Sequence, residues 1–351
     1  MEFVSFTDWD ELPDSANALF AQAEKDSIFF SHPWFKNLVA TALEDDQYML
    51  LACVVEGDSM LAILPLMKRT SEKWYSLRNN YTSLYTLLLA DNDKQEILTC
   101  LVQGLSQLPL ESVQLRPVAE NDKCMNCLQR AMELSGFDCY RHFQFYNWIH
   151  RLQGQSFKDY MAARPARVRN TIARKQRKLE REHGYDIRLF IDDDLQQALA
   201  DYNAIYTASW KANELFGGFI EGLVNNMSEQ GWLRLAILYI AGQPAAAQIW
   251  FVAHGKASIF KLAYDEAWKQ YSAGSILTHY LMQYVIDTDK VEEIDFLTGN
   301  DAYKKDWMTE RRERWRLSCV NKCEPKGRIS LFVESLKGLL IRIKGQNGSL
   351  L

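Results

Sequence analysis

Two hairpin signals of the same design constrain this chain more than any other feature of its sequence. In the first, Met49–Val55 and Met60–Leu66 are apolar runs flanking Glu56-Gly57-Asp58-Ser59. In the second, Leu235–Ile240 and Ala245–Phe251 flank Ala241-Gly242-Gln243-Pro244. Apolar β-formers bounded by a short turn containing glycine read as antiparallel strand pairs. Laying Gly57 on Gly242 superposes Leu61-Ala62 on Ala246-Ala247, and a helical segment bearing a tryptophan, Trp34 or Trp210, is expected before each hairpin. A feature that recurs once along 351 residues points to two related units rather than one large domain.

The intervening pattern is mixed. Residues 13 to 25, 33 to 43, 94 to 107, 122 to 134 and 273 to 286 carry helical periodicity, with Ser31-His32-Pro33 as a helix start. Ser112–Arg116, Phe143–Ile149, Ala257–Tyr264, Glu293–Leu297 and Trp315–Val320 read as strands. The expectation is an α/β (α+β) chain of tandem domains, each a mixed, largely antiparallel sheet flanked by helices. The domains are expected at 1–150 and 151–325, followed by an amphipathic tail at 326–351 with Ile329, Phe332, Val333, Leu336, Leu340 and Ile343 at helical spacing. That tail suits packing on the body or a partner subunit, or attachment to a membrane surface.

A formal charge of -5 excludes a surface that is basic throughout, although one basic block stands out between Arg164 and Arg181. Its arginines and lysines suit tRNA, an anionic glycan or a lipid headgroup. Val168, Ile172 and Leu179 give it an apolar seam, so a solvated helix face is the plainer reading. No run approaches the roughly 20 apolar residues of a membrane span, and the amino terminus has no signal-peptide pattern, so a cytosolic protein is expected. Seven cysteines without an export signal point to reduced thiols. Cys124, Cys127, Cys319 and Cys323 could be combined into a zinc site, but they fall within apolar helix and strand patterns; no metal is expected.

Two segments carry the candidate chemistry. Ser272-Ala273-Gly274-Ser275 opens a helix between two strands, with a glycine that admits close backbone approach and N–H groups that favour an anion. It is equally an ordinary capped helix start. Glu293–Leu297 then breaks at Gly299 and leads into Asn300-Asp301-Ala302-Tyr303-Lys304-Lys305-Asp306-Trp307, bringing a carboxylate, a phenol and two ammonium groups to a strand end.

The order Ala263-Tyr264-Asp265, Tyr271-Ser272-Ala273-Gly274, Asp295-Phe296-Leu297-Thr298-Gly299, Tyr303-Lys304 and Trp307 resembles the CelD-like branch of the GNAT acyltransferases. That branch is itself similar to the Fem-type aminoacyltransferases. Phe30-Ser31-His32-Pro33-Trp34 and the basic helix extend the likeness over most of the chain. The resemblance implies two GNAT-like domains and transfer of an acyl group, such as acetyl, from acyl-CoA to an amine or hydroxyl of a small molecule or a cell-envelope or polysaccharide precursor. Aminoacyl-tRNA as donor, and a non-catalytic binding protein, are the alternatives. The sequence departs from the GNAT phosphate pattern, since Gln270 precedes Ala273-Gly274-Ser275 with a single glycine.

On this reading Ser272, Gly274 and Ser275 hold the donor. An alkylammonium acceptor is only about one part in a thousand neutral at pH 7, a deficit of roughly 4 kcal/mol, so a group must take its proton. Asp295 is the candidate base, or else it caps the turn at Thr298-Gly299. Tyr303 would protonate the leaving thiolate and Lys304 would stabilise an oxyanion or phosphate. Trp210 and Tyr264 are candidate substrate contacts, or packing residues.

Overall fold

The computed structural model of the chain describes residues 1–69, 72–90, 94–211 and 214–322. The tail expected at 326–351, and Cys323, lie outside the described residues. The chain divides into two compact units, one beginning at Met1 and ending at Tyr146 but regaining the chain from Arg312, the other Asn147–Arg311.

The first unit contains β1 (Glu2–Phe6), α1 (Ala16–Ala23), α2 (His32–Ala42), β2 (Tyr48–Glu56), β3 (Ser59–Lys68), β4 (Lys73–Ser76), β5 (Leu88–Leu89), α3 (Lys94–Gln107), β6 (Ser112–Ala119) and α4 (Lys123–Leu134). The strand β7 (Phe137–Arg151) runs across the boundary. Then come α5 (Phe157–Ala162), α6 (Ala166–Glu182), β8 (Tyr185–Phe190), α7 (Leu195–Thr207), α8 (Phe219–Glu229), β9 (Leu233–Ile240), β10 (Gln243–Ala253), β11 (Lys256–Tyr264), α9 (Ala273–Asp287), β12 (Glu293–Thr298), α10 (Lys304–Trp307) and β13 (Glu310–Asn321).

Each unit repeats one plan. In the first, the strand order is β1-β2-β3-β4-β6-β13; in the second it is β8-β9-β10-β11-β12-β7. Both open with antiparallel pairs, including the two hairpins foreseen from Gly57 and Gly242, whose φ values of 57° and 78° are the left-handed geometry glycine tolerates. Both then contain one parallel pair, β4–β6 or β11–β12, which demands a crossover and receives a helix, α3 or α9. Both close with an antiparallel strand taken from elsewhere in the chain, β13 for the first unit and the end of β7 for the second. This explains why residues 312–322, expected in the second domain, return to the first: Arg314–Val320 pair with β6.

Burial holds each unit together. In the first, Leu51–Val54 of β2 and Ala62–Leu64 of β3 are fully buried, with Ala52, Val54, Ala62 and Leu64 on the face that packs with Leu101, Leu128 and Leu317. In the second, Leu277, Leu281 and Val285 of α9 pack on Ala236, Leu238, Ala246 and Trp250. Each such aliphatic side chain contributes about 1.5–3 kcal/mol by leaving water. Ser31 fixes the start of α2 by accepting from Trp34 N at 3.3 Å, with Pro33 in the first turn. Trp34 itself is fully buried edge-on to Phe29. Its expected counterpart differs: Trp210 lies beyond the end of α7, outside any helix, and is 52% exposed.

Of the zinc candidates, Cys319 is buried in β13, whereas Cys127 is exposed on α4, contrary to the buried thiol expected there. Among the described residues no helix is long and apolar enough to cross a membrane.

Candidate active site

The parallel pair of the second unit is incomplete. Only Lys256, Ala257 and Ser258 of β11 face Glu293, Ile294 and Asp295 of β12. Beyond them β11 continues to Tyr264, bonded to β10 on its other edge, and β12 continues to Thr298 without a further β11 partner. The strands therefore part, and the edge of β11 from Ile259 onward is left, among the described residues, without a strand neighbour. An open edge of this kind presents backbone donors and acceptors to whatever extended group lies beside it.

The first unit treats the same place differently. Past the short β4–β6 ladder, Ser76 Oγ donates to Arg116 O at 2.7 Å and accepts from Arg116 N at 3.2 Å, while Tyr85 N donates to Pro117 O at 2.7 Å. Tyr85 is buried there and its hydroxyl donates to Pro65 O at 2.6 Å. Among the described residues the gap is filled by the chain itself, whereas in the second unit it stays open.

That opening leads to the start of α9. Ser272 is held at φ 57° and ψ 43°, reversing the chain so that Ser275 N and Ile276 N bond to its carbonyl. The N–H groups of the first helical residues, Ala273 and Gly274, have no acceptor within the helix. Gly274 is buried: a Cβ there would come within 3.3 Å of Tyr264 Cδ1. Its carbonyl accepts from Gln248 Nε2 at 2.9 Å, and Gln248 in turn bonds Thr278 Oγ1 at 2.7 Å and accepts from Trp250 Nε1 at 2.8 Å. Gln248 thus clamps the first turn of α9 to β10. The sequence carried a signal for it, a lone polar residue inside the run Ala245–Phe251, which the hairpin reading passed over.

At the end of β12 the three expected catalytic residues take different places. Asp295 Oδ1 accepts from Leu297 N at 2.6 Å and from Asn147 Nδ2 at 2.5 Å, and Asn147 also donates to Leu297 O at 3.0 Å. These bonds hold Leu297 at φ 51° within a break in the β12–β7 ladder. The Asp295 carboxylate is thereby fixed at the end of β12. Asn147, fully inside the fold and far away in sequence, gave no sign of this partnership.

Lys304 is buried, and its ammonium donates to Phe296 O at 3.1 Å and Thr298 O at 2.5 Å and lies 3.4 Å from Asp301 Oδ2. An ammonium has three donors, and all three are engaged. Burial lowers its pKa, against the opposing pull of Asp301 and Asp295. The geometry makes Lys304 the clasp of the loop after β12. Tyr303, by contrast, is half exposed, and its partial desolvation together with Asp301 pushes its pKa up to about 12. It therefore keeps its proton at neutral pH.

The remaining candidates meet at the end of β11. The rings of Trp210 and Tyr264 lie 4.4 Å apart, with Tyr264 against Gly274. Ser275 is half-buried in the first turn of α9. The basic helix α6 borders the same turn: Lys175 donates to Gln270 O, and Lys178 lies over the Tyr271 ring at 4.9 Å. Its seam is as expected, with Ile172 and Leu179 buried and Val168 against the core. Arg167 pairs with Asp306 at 2.6 Å, while Arg169, Arg174 and Arg177 are exposed.

Comparison with known proteins adds to this geometry. Residues 166–305 match the family model described as an acetyltransferase (GNAT) domain. No curated protein sequence matches the chain. Among solved structures it is similar to FemX, at 12% identity over 91% of this chain and 97% of that one, with a TM-score of 0.62. It is also similar to L-PGS from Bacillus licheniformis (11% identity, 86% and 95% coverage, TM-score 0.52). A conserved protein of unknown function from Bacteroides thetaiotaomicron is similar too (12% identity, 90% and 99% coverage, TM-score 0.55). At such identities the likeness is one of fold. The stretch that matches this model runs from the start of α6 to just past the clasp at Lys304.

Proposed function

We propose that the chain is an acyltransferase that takes its acyl group from acyl-CoA and delivers it to an amine or hydroxyl. The observation that carries this is the parting of β11 and β12 directly above the free N–H groups of α9. The open edge of β11 suits the amide-bearing arm of the donor, and the N-terminus of α9 with Ser272, Gly274 and Ser275 suits its pyrophosphate. The resemblance of Asp295–Gly299, Tyr303-Lys304 and Trp307 to the CelD-like branch supports the same reading.

Tyr303 is the proton donor to the departing thiolate, since it is accessible and protonated. Asp295 and Lys304 are positioning residues: they set the path of the chain from β12 to Tyr303. Trp210 and Tyr264 flank the acceptor.

The test is a melting-temperature titration with acetyl-CoA and longer acyl-CoA thioesters. A ligand present at about 100 times its Kd stabilises the native state by roughly 2.7 kcal/mol, so donor binding raises the melting temperature. A second reading, aminoacyl-tRNA as donor, is favoured by the exposed Arg169, Arg174 and Arg177 beside the same turn. It predicts tRNA binding that weakens steeply with salt and is relieved by replacing those arginines. Response to neither donor would favour a non-catalytic binding protein.

A further inference from the structure

A cluster on the other face of β11 has no part in the chemistry just described. Successive strand residues point to opposite faces, so while Leu262 reaches toward Gly274, Lys261 points away from it. Lys261 is buried, with its ammonium 2.8 and 2.9 Å from the two carboxylate oxygens of Glu214. Glu214 also accepts from the Tyr202 hydroxyl at 3.2 Å. The Lys261 ammonium lies 5.6 Å from the Tyr206 ring centre. A second ammonium, that of Lys211, lies 5.7 Å from the same ring and 5.8 Å from the Trp210 ring.

The cluster thus holds two cations and one carboxylate. Glu214 spends both oxygens on Lys261, and Lys211 is left with aromatic faces and, among the described residues, no ion-pair partner. Burial, with repulsion from Lys261, lowers the Lys211 pKa to about 8 despite Glu214, as befits an ammonium short of counter-charge. The Trp210 ring beside it is exposed. Among the described residues, the large apolar or aromatic side chains that the second unit exposes are Trp210 at 52%, Leu215 at 65% and Tyr303 at 50%. Trp210 touches Tyr264 at the end of β11, where the acyl group would be delivered.

We propose that Lys211 is the counter-ion for a carboxylate of the acyl acceptor, with Trp210 and Leu215 against the acceptor's apolar body. One unpaired ammonium matches one carboxylate, which completes the charge balance that Glu214 alone leaves short. The acceptor class is then a small amino acid or hydroxy acid; calling the ligand the acceptor rests on the acyltransferase reading, but the site itself does not.

The experiment compares γ-aminobutyrate with γ-aminobutyramide, which differ only in the carboxylate, by melting-temperature titration of the full chain. The acid binds the wild type about ten-fold or more tightly than the amide, as expected for a charge-assisted contact. Lys211→Met weakens the acid by about the same factor and leaves the amide unchanged. Glu214→Gln removes the one carboxylate of the cluster, leaves its two ammonium groups unbalanced, and so tightens the acid. Equal binding of acid and amide, indifference to Lys211→Met, or no binding of the acid to the wild type overturns the proposal. A parallel titration with acetyl-CoA keeps the two readings apart: a protein that binds the acid but not the thioester retains the carboxylate site and loses the donor.

Discussion

Tyr303 and Lys304 are adjacent, yet one is half exposed and the other is sealed in. If Tyr303 gives a proton to the leaving group, Tyr303→Phe lowers kcat by about a hundred-fold or more with little change in the Kd for acyl-CoA. Its pH signature follows from the raised pKa: the acid form persists below about 12, so the wild-type rate shows no alkaline loss from this group between pH 7 and 10. Lys304→Met acts on stability first. It strands the carbonyls of Phe296 and Thr298 at about 1–3 kcal/mol each, and a lowered urea midpoint records the loss. The sequence singled out both residues and the turn that holds them. It did not show that Lys304 is fully engaged, because the two carbonyls converge only when Leu297 adopts a positive φ, a conformation its side chain does not advertise. The bond from Asn147 to Asp295 was hidden for a related reason: it joins positions brought together only by strand pairing.

At the scale of elements, α9 and β11 form the working pair, and Gly274 is where they meet. Replacing Gly274 by Ala has two opposing effects on stability: a helix gains roughly 0.5–1 kcal/mol from losing a glycine, while the new methyl crowds the Tyr264 ring. The expected result is a nearly unchanged melting temperature, read by thermal melts of the variant beside the wild type. Elements such as α3 and α9, with long apolar periodicity, were legible almost to their ends. The strand β8 was not, because Tyr185–Phe190 is a half-exposed edge strand directly after a charged helix, and its alternation is short. The segment that carries Lys211 and Glu214 lacks periodicity altogether, so only the folded chain reveals that Glu214 pairs with Lys261 and that Lys211 shares the Tyr206 ring with it.

For the molecule as a whole, the second unit is a continuous stretch of chain and the first is not. A fragment of residues 147–311 should therefore fold and melt cooperatively, whereas residues 1–146 alone leave the outer edge of β6 bare and should associate through it. Light scattering and circular dichroism of the two fragments check this; a monomeric, fully folded 1–146 fragment would contradict it. The two-unit plan was legible because the hairpins repeat, but the return of β13 was not, since an apolar strand does not name its partner. That return also sets an order of events on the ribosome. At about 5–20 residues per second, the unit made first waits roughly ten seconds or more for Arg314–Val320 to emerge, while the unit made second already has its complete set of strands. The earliest part of the chain to be synthesised is thus the last to be finished, and during that interval β6 is the edge a chaperone has most reason to cover.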